Sequence, residues 1–246
     1  MDPSPVATIA VPVALLVATL AIFVLLGRAT WRLWQPARHL LAGRYTEARR
    51  AADVLERSWL RVLPGVRDSS CYARAAALHL DGALEEALDA LAPLAAREPA
   101  ENLRYAALSL EAATLVLLDR DLHRARALLD EAAKIQTLPE DLLLRALVEQ
   151  ALGDDDGGAA TFARAGERRR GSASPVGVRV MAIFHALRGT WLERAGRTEE
   201  AERDLTAAAR SPIDTIYVRR ARARARRSEV DGPTSLAPQV VSTLPE

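Results

Sequence analysis

The chain opens on an unbroken apolar run and then changes rhythm. From Val6 to Gly27 it reads VATIAVPVALLVATLAIFVLLG, 22 residues without a charged side chain. As a helix that run spans roughly 33 Å, against a bilayer hydrocarbon core of about 30 Å. Pro12 is unfavourable inside a soluble helix but tolerated in a spanning one, where neighbouring groups re-satisfy the freed carbonyl. Trp31 and Trp34 follow where an interfacial aromatic belt sits, and Arg28 and Arg32 can extend their heads to lipid headgroups. The pattern predicts a short N-terminus over 1–5, a transmembrane helix over 6–27 and an interfacial stretch to about residue 35. The run is too long, and its leading residues too poor in basic groups, for a cleaved signal peptide. Asp2 is the one charge before the span, whereas Arg28, Arg32, Arg38, Arg44, Arg49 and Arg50 follow it. The positive-inside rule therefore predicts a single-pass protein of the inner membrane, N-terminus outside and the remaining chain cytoplasmic.

Beyond Pro36 the apolar residues return at helical spacing, interrupted by turn signals. One phrase recurs: a turn residue, a short polar stretch, then a small residue that opens an apolar stripe. It appears as Gly43 to Ala48, Gly82 to Ala87, Arg120 to Ala125, Gly153 to Gly158 and Gly196 to Ala201. The closing residues fall 39, 38, 33 and 43 positions apart. Each phrase sits between two helices of one hairpin. Acidic residues such as Glu85, Glu86, Glu199 and Glu200 open the second helix, where its dipole favours negative charge. One hairpin cannot bury its own stripe, but stacked hairpins can. The expectation is all-α: a transmembrane helix, then an α-solenoid of about five helical hairpins over 36–216, then a basic segment and disordered tail over 217–246. Leu63-Pro64-Gly65, Leu138-Pro139-Glu140 and Gly171-Ser-Ala-Ser-Pro175 are predicted as links between hairpins.

The second unit carries Ala75, Leu78, Gly82, Ala87, Leu91, Leu94 and Pro99, and the fifth carries Gly189, Leu192, Gly196, Ala201, Leu205 and Ala208. In this spacing the stretch 36–213 resembles the tetratricopeptide-repeat family. The third unit lacks the turn glycine, the fourth has Gly158 where Ala is usual, and Pro36 shortens the leading helix of the first. The resemblance implies a protein or peptide partner held on a concave surface lined by first helices. Carried over by position, that surface comprises Tyr72, His79, Thr114, Leu143, Gln150, Thr190 and Glu193. The implied function is a membrane-anchored scaffold or adaptor. A membrane-bound chaperone or assembly factor facing the extracytoplasmic side is the alternative.

Composition adds mostly exclusions. Aromatics make up 4% of the chain, so Leu, Ala and Val must build the core. A net charge of +1 argues against a polyanion binder, and no nucleic acid partner is expected. The basic residues are almost all Arg, with Lys134 the only lysine, which suggests a GC-rich bacterial gene. Cys71 is the one cysteine, expected to behave as a small buried hydrophobe. His39, His79, His123 and His185 are scattered, without the spacing that zinc requires. Asp154-Asp155-Asp156 opens like a calcium loop, but its twelfth position is Ala165 in place of the bidentate Glu. No cofactor is predicted, and no nucleophile, phosphate loop or acid–base constellation marks an enzyme. Arg168 to Arg170 is read as a helix end. In Arg219 to Arg227, RRARARARR, charge is expected all round a solvated helix end, with contact to anionic lipid as the functional reading.

Overall fold

A computed structural model of the chain describes residues 27–170 and 178–230. The described residues form helices and turns, with no strand among them. In chain order these are α1 (27–41), α2 (Tyr45–Arg57), a 3₁₀ turn (Trp59–Val62), α3 (Val66–Asp81), α4 (Leu84–Ala95), α5 (Glu101–Leu118) and α6 (Leu122–Ile135). Beyond them come α7 (Pro139–Ala151), α8 (Asp155–Arg170), α9 (Val178–Arg194), α10 (Thr198–Ala209) and α11 (Ile216–Val230). Two compact units divide the chain between Ser172 and Ala173, the first holding α1 to α8 and the second α9 to α11. Among the described residues no helix is long and apolar enough to cross a membrane. The predicted span over 6–27 lies outside them except for Gly27, as do the predicted link at 171–175 and the tail beyond 230.

The recurring phrase folds the same way each time. A residue in the left-handed region ends the first helix: Gly43, Gly82, Gly153, Gly196 and, in the third unit, Asp119. The next amide then reaches back five residues. Arg44 N–H donates to His39 C=O at 2.9 Å, Ala83 to Leu78 at 2.9 Å, Arg120 to Leu115 at 3.1 Å, Asp154 to Glu149 at 2.9 Å and Arg197 to Leu192 at 2.9 Å. These are Schellman closures, which satisfy carbonyls that the helix end leaves unpaired. The left-handed conformation is free of strain for glycine and costs an ordinary residue about 1–2 kcal/mol, somewhat less for Asp. Asp119→Gly is therefore expected to stabilise the domain by about 0.5–1 kcal/mol. Chemical denaturation of the two proteins checks this, and a lower midpoint for the glycine variant would count against the strain.

Past each turn the small residue lies at a helix crossing. Ala48, Ala87, Ala125 and Ala201 are all buried. In the fourth hairpin the residue is Gly158, where an added Cβ would stand 3.2 Å from the Ala146 carbonyl. That backbone approach accounts for glycine at a position of alanine. In α9, Gly189 is tighter still, since a Cβ there would meet Leu205 Cγ at 2.8 Å. Acidic first turns recur as expected in α4 and α10, and Asp154 caps α8 by accepting the Gly157 N–H at 3.0 Å. Tyr105 on α5 ties hairpins together by donating to Asp141 Oδ2 of α7 at 2.5 Å. Burial, then this bond, push the Tyr105 phenol far above its usual range.

Two expected boundaries move. Pro36 does not break the leading helix, because α1 is continuous over 27–41. The ring costs one N–H and clashes with the carbonyl four residues earlier. That carbonyl belongs to Arg32, an exposed residue, so water can satisfy it, while Pro36 itself is buried with Leu40 on the packed face. Ala29 and Leu33 continue this stripe one and two turns earlier and pack against Leu55, Leu60 and Val66.

The basic segment is the second correction. Residues 217–227 do not form a solvated end but lie within α11, which packs on α10 and α9. Tyr217, Val218 and Ala221 are buried along one face. The arginines act on neighbouring elements. Arg222 donates to the Ala209 and Ser211 carbonyls at 3.1 and 2.8 Å and to Asp214 at 2.9 Å, closing the end of α10. Arg224 donates to Thr190 Oγ1 at 2.5 Å and pairs with Glu193 at 3.2 Å.

Candidate partner-binding grooves

The seven residues assigned to a concave surface separate into different environments. His79, Thr114 and Leu143 are buried. The Thr114 hydroxyl lies 2.7 Å from the Leu110 carbonyl and 2.8 Å from His79 Nδ1, within hydrogen-bond distance of both. The His79–Thr114 pair links α3 to α5. Tyr72 is half-buried against the cluster of Ala75, Leu91 and Leu94. Gln150 is half-buried too, with its carbonyl oxygen unpaired. In the second unit, Thr190 and Glu193 engage Arg224. Within the first unit the first helices pack directly on one another, α3 on α5 and α5 on α7. This contact buries the side chains that a more open array would expose. The surface expected on α3, α5 and α7 is therefore largely an inter-helix seam.

The open relief of the first unit lies between second helices. One groove of about 780 Å³ runs between α4 and α6, with α5 as its floor. Its apolar lining includes Leu91, Leu94, Ala107, Leu108, Leu128 and Ile135. Around it stand Arg97, Arg104 and Arg124 with Glu98, Glu101 and Glu111. Glu111 is itself buried and pairs with Arg124 across the α5–α6 hairpin. Arg104 bonds Glu131 at 2.8 Å along the same hairpin.

A second groove of about 640 Å³ runs between α2 and α4 over α3. It is more polar, lined by Arg49, Arg67, Arg74 and Arg97 among Asp53, Glu86 and Asp89. Cys71 opens onto it half-buried, donating Sγ–H to the Ala90 carbonyl at 2.9 Å, and burial pushes its thiol pKa up. The expectation of a small buried hydrophobe is met only in part, since one side of the residue faces the groove. Both grooves repeat one geometry, two second helices parted over one first helix, shifted along the chain by one hairpin. Sequence reasoning passed over Leu128 and Ile135. They sit beside the buried stripe of Ala125, Leu129 and Ala132 and widen the apolar face of α6 beyond what its own hairpin covers.

The residues expected at a membrane interface lie on α1. Arg28, Trp31, Arg32 and Trp34 are all exposed, on the flanks away from Ala29 and Leu33. The Arg38 guanidinium sits 4.2 Å over the Trp31 ring, a cation–π contact that holds the indole in place. Comparison of the chain with family models, with curated proteins and with solved structures finds no match.

Proposed function

We propose that this chain is a membrane-anchored adaptor whose helical hairpins hold a polypeptide segment of a partner protein. The observation that supports it most is the groove between α4 and α6. Leu91, Leu94, Ala107, Leu108, Leu128 and Ile135 give it apolar surface from three helices. Its rim carries Arg97, Arg104 and Arg124 with Glu98 and Glu101, and Arg124 pairs with the buried Glu111 of the floor. A rim of both signs suits a polypeptide with charges of both signs better than a polyanion, for which one-signed fields are needed. The repeated hairpins supply a rigid platform, so little ordering cost falls on the protein when it binds.

The anchor supplies the other half of the reading. The uncharged run before Arg28 has the length of a span, and the exposed Trp31 and Trp34 with Arg28 and Arg32 suit a headgroup region. The arginine-rich flank favours a cytoplasmic domain. Tethering would raise the partner's effective concentration beside a membrane complex.

A photo-crosslinking amino acid placed at Leu128 of the full chain in native membranes tests the groove. A defined adduct is expected from Leu128, and not from the exposed Ala163 on α8. Arg104→Ala combined with Leu108→Ala should reduce that adduct roughly tenfold, the equivalent of about 1.4 kcal/mol of binding. Equal adducts at both positions, or indifference to the double substitution, would remove the groove as the binding face.

A further inference from the structure

The 3₁₀ turn after α2 is built to show apolar side chains outward. Ser58 braces it by donating its hydroxyl to the Leu55 carbonyl at 2.8 Å and accepting the Leu60 N–H at 3.2 Å. Leu60 alone turns into the core, whereas Trp59 is 63% and Val62 76% exposed, with Leu63 exposed beside them. An indole and two aliphatic side chains gathered on one rigid turn form a patch that water disfavours. The patch has a defined place. Leu55, Leu60 and Val66 pack against Ala29 and Leu33, the first turns of α1. The turn thus sits beside the end of α1 that directly follows the uncharged run. Exposed Arg57 and Arg61 flank it, and Arg28 and Arg32 stand exposed on the neighbouring stretch of α1.

We infer that the turn Trp59–Val62 is a second membrane contact, seating Trp59 and Val62 in the interface of an anionic bilayer. The inference rests on the anchor reading, because the uncharged run brings this end of α1 to the lipid. Indole rings favour the headgroup level, where the ring is buried and the N–H stays wet. Each of the surrounding arginines adds electrostatic attraction to anionic lipid. Two contacts, a span and a wedge, would hold the first unit against the membrane surface and stop it from swinging on a single helix.

The full chain carrying Cys71→Ser and Val62→Cys, labelled with an environment-sensitive NBD probe, tests this in phosphatidylcholine–phosphatidylglycerol vesicles. A label at Ala163→Cys on the same background is the control. Positions 62 and 163 are both exposed, so neither label disturbs the core. The label at position 62 should shift to the blue and be quenched by acyl-chain-brominated lipid roughly twofold more than the control, as an interfacial element buried several ångströms deep requires. Loss of part of this difference in pure phosphatidylcholine is the expected electrostatic signature. If the chain floats with the vesicles but positions 62 and 163 behave alike, the wedge is overturned while the anchor stands. A blue shift without lipid quenching, growing with protein density in the membrane, would show a second copy covering the turn and overturn the lipid contact. A chain that fails to float in the absence of detergent would overturn the anchor and the wedge together.

Discussion

Leu143→Ala is expected to destabilise the helical domain by about 2–5 kcal/mol. Leu143 lies on α7 with 1% of its surface exposed, among Leu142, Leu144, Ala146 and Leu147, all buried. Truncation loses the transfer energy of three carbon atoms and leaves a void that close-packed helices refill only in part. A solenoid surface position would respond differently, with loss of binding and little loss of stability. Glu193→Ala supplies that comparison. Its carboxylate is exposed and pairs with Arg224 at 3.2 Å, so its removal should cost no more than about 1 kcal/mol. Urea denaturation of the two variants would separate core from surface at positions that repeat spacing puts on one face. Equal midpoints would contradict the burial of Leu143.

The second large effect is expected at Asp204. Its carboxylate is buried on α10 and accepts from His185 Nδ1 at 2.8 Å and Arg188 Nη1 at 2.7 Å, both on α9. The two bonds tie the helices of the last hairpin at mid-length, close to where Gly189 meets Leu205. Removing one side of a buried ionic network strands the partner charge and costs about 3–5 kcal/mol. Arg188 keeps a third of its side chain in water, so Asp204→Ala should fall near the lower end. At about 4–8 °C per kcal/mol for a unit of the size of Ala173–Glu246, the thermal midpoint should drop by roughly 12–24 °C. Trp191, buried on α9, reports the transition by its fluorescence. Asp204→Asn keeps the shape and one acceptor, and should lose less. An unchanged midpoint in Asp204→Ala would show that the network contributes nothing.

Turns proved the most legible part of the sequence, because their chemistry is local. A left-handed residue followed by an acidic helix start can be read from a few neighbours, and Gly43, Gly82, Gly153 and Gly196 all fall in that conformation. The third turn shows the limit, since Asp119 takes the same geometry without the residue that signals it. Pro36 misled for a related reason. A proline breaks a helix only when the lost bond and the clash are not offset, and the solvation of the Arg32 carbonyl is not written near residue 36. In α11 the Arg–Ala alternation hid Tyr217, Val218 and Ala221, which share a face only once the helix is known to extend past 216. The open grooves were least legible. Which side of a first helix stays open depends on how closely neighbouring first helices approach. The His79–Thr114 bond records that approach, between residues 35 positions apart. No local pattern encodes it.

The continuity of α1 through Pro36 gives the first unit a fixed bearing on that helix. A helix over 27–41 is about 22 Å of stiff rod, packed into the first hairpin from Ala29 and Leu33 onward. Rotation of that rod about its own axis is therefore rotation of the grooves. One residue added to a helix turns what adjoins it by about 100° and shifts it by about 1.5 Å, so a residue inserted between Ala29 and Leu33 would carry Ala29 off the face that meets Leu55, Leu60 and Val66. For an anchored chain, α1 works as a keyed shaft. Its heading about its own axis sets the direction in which the grooves face.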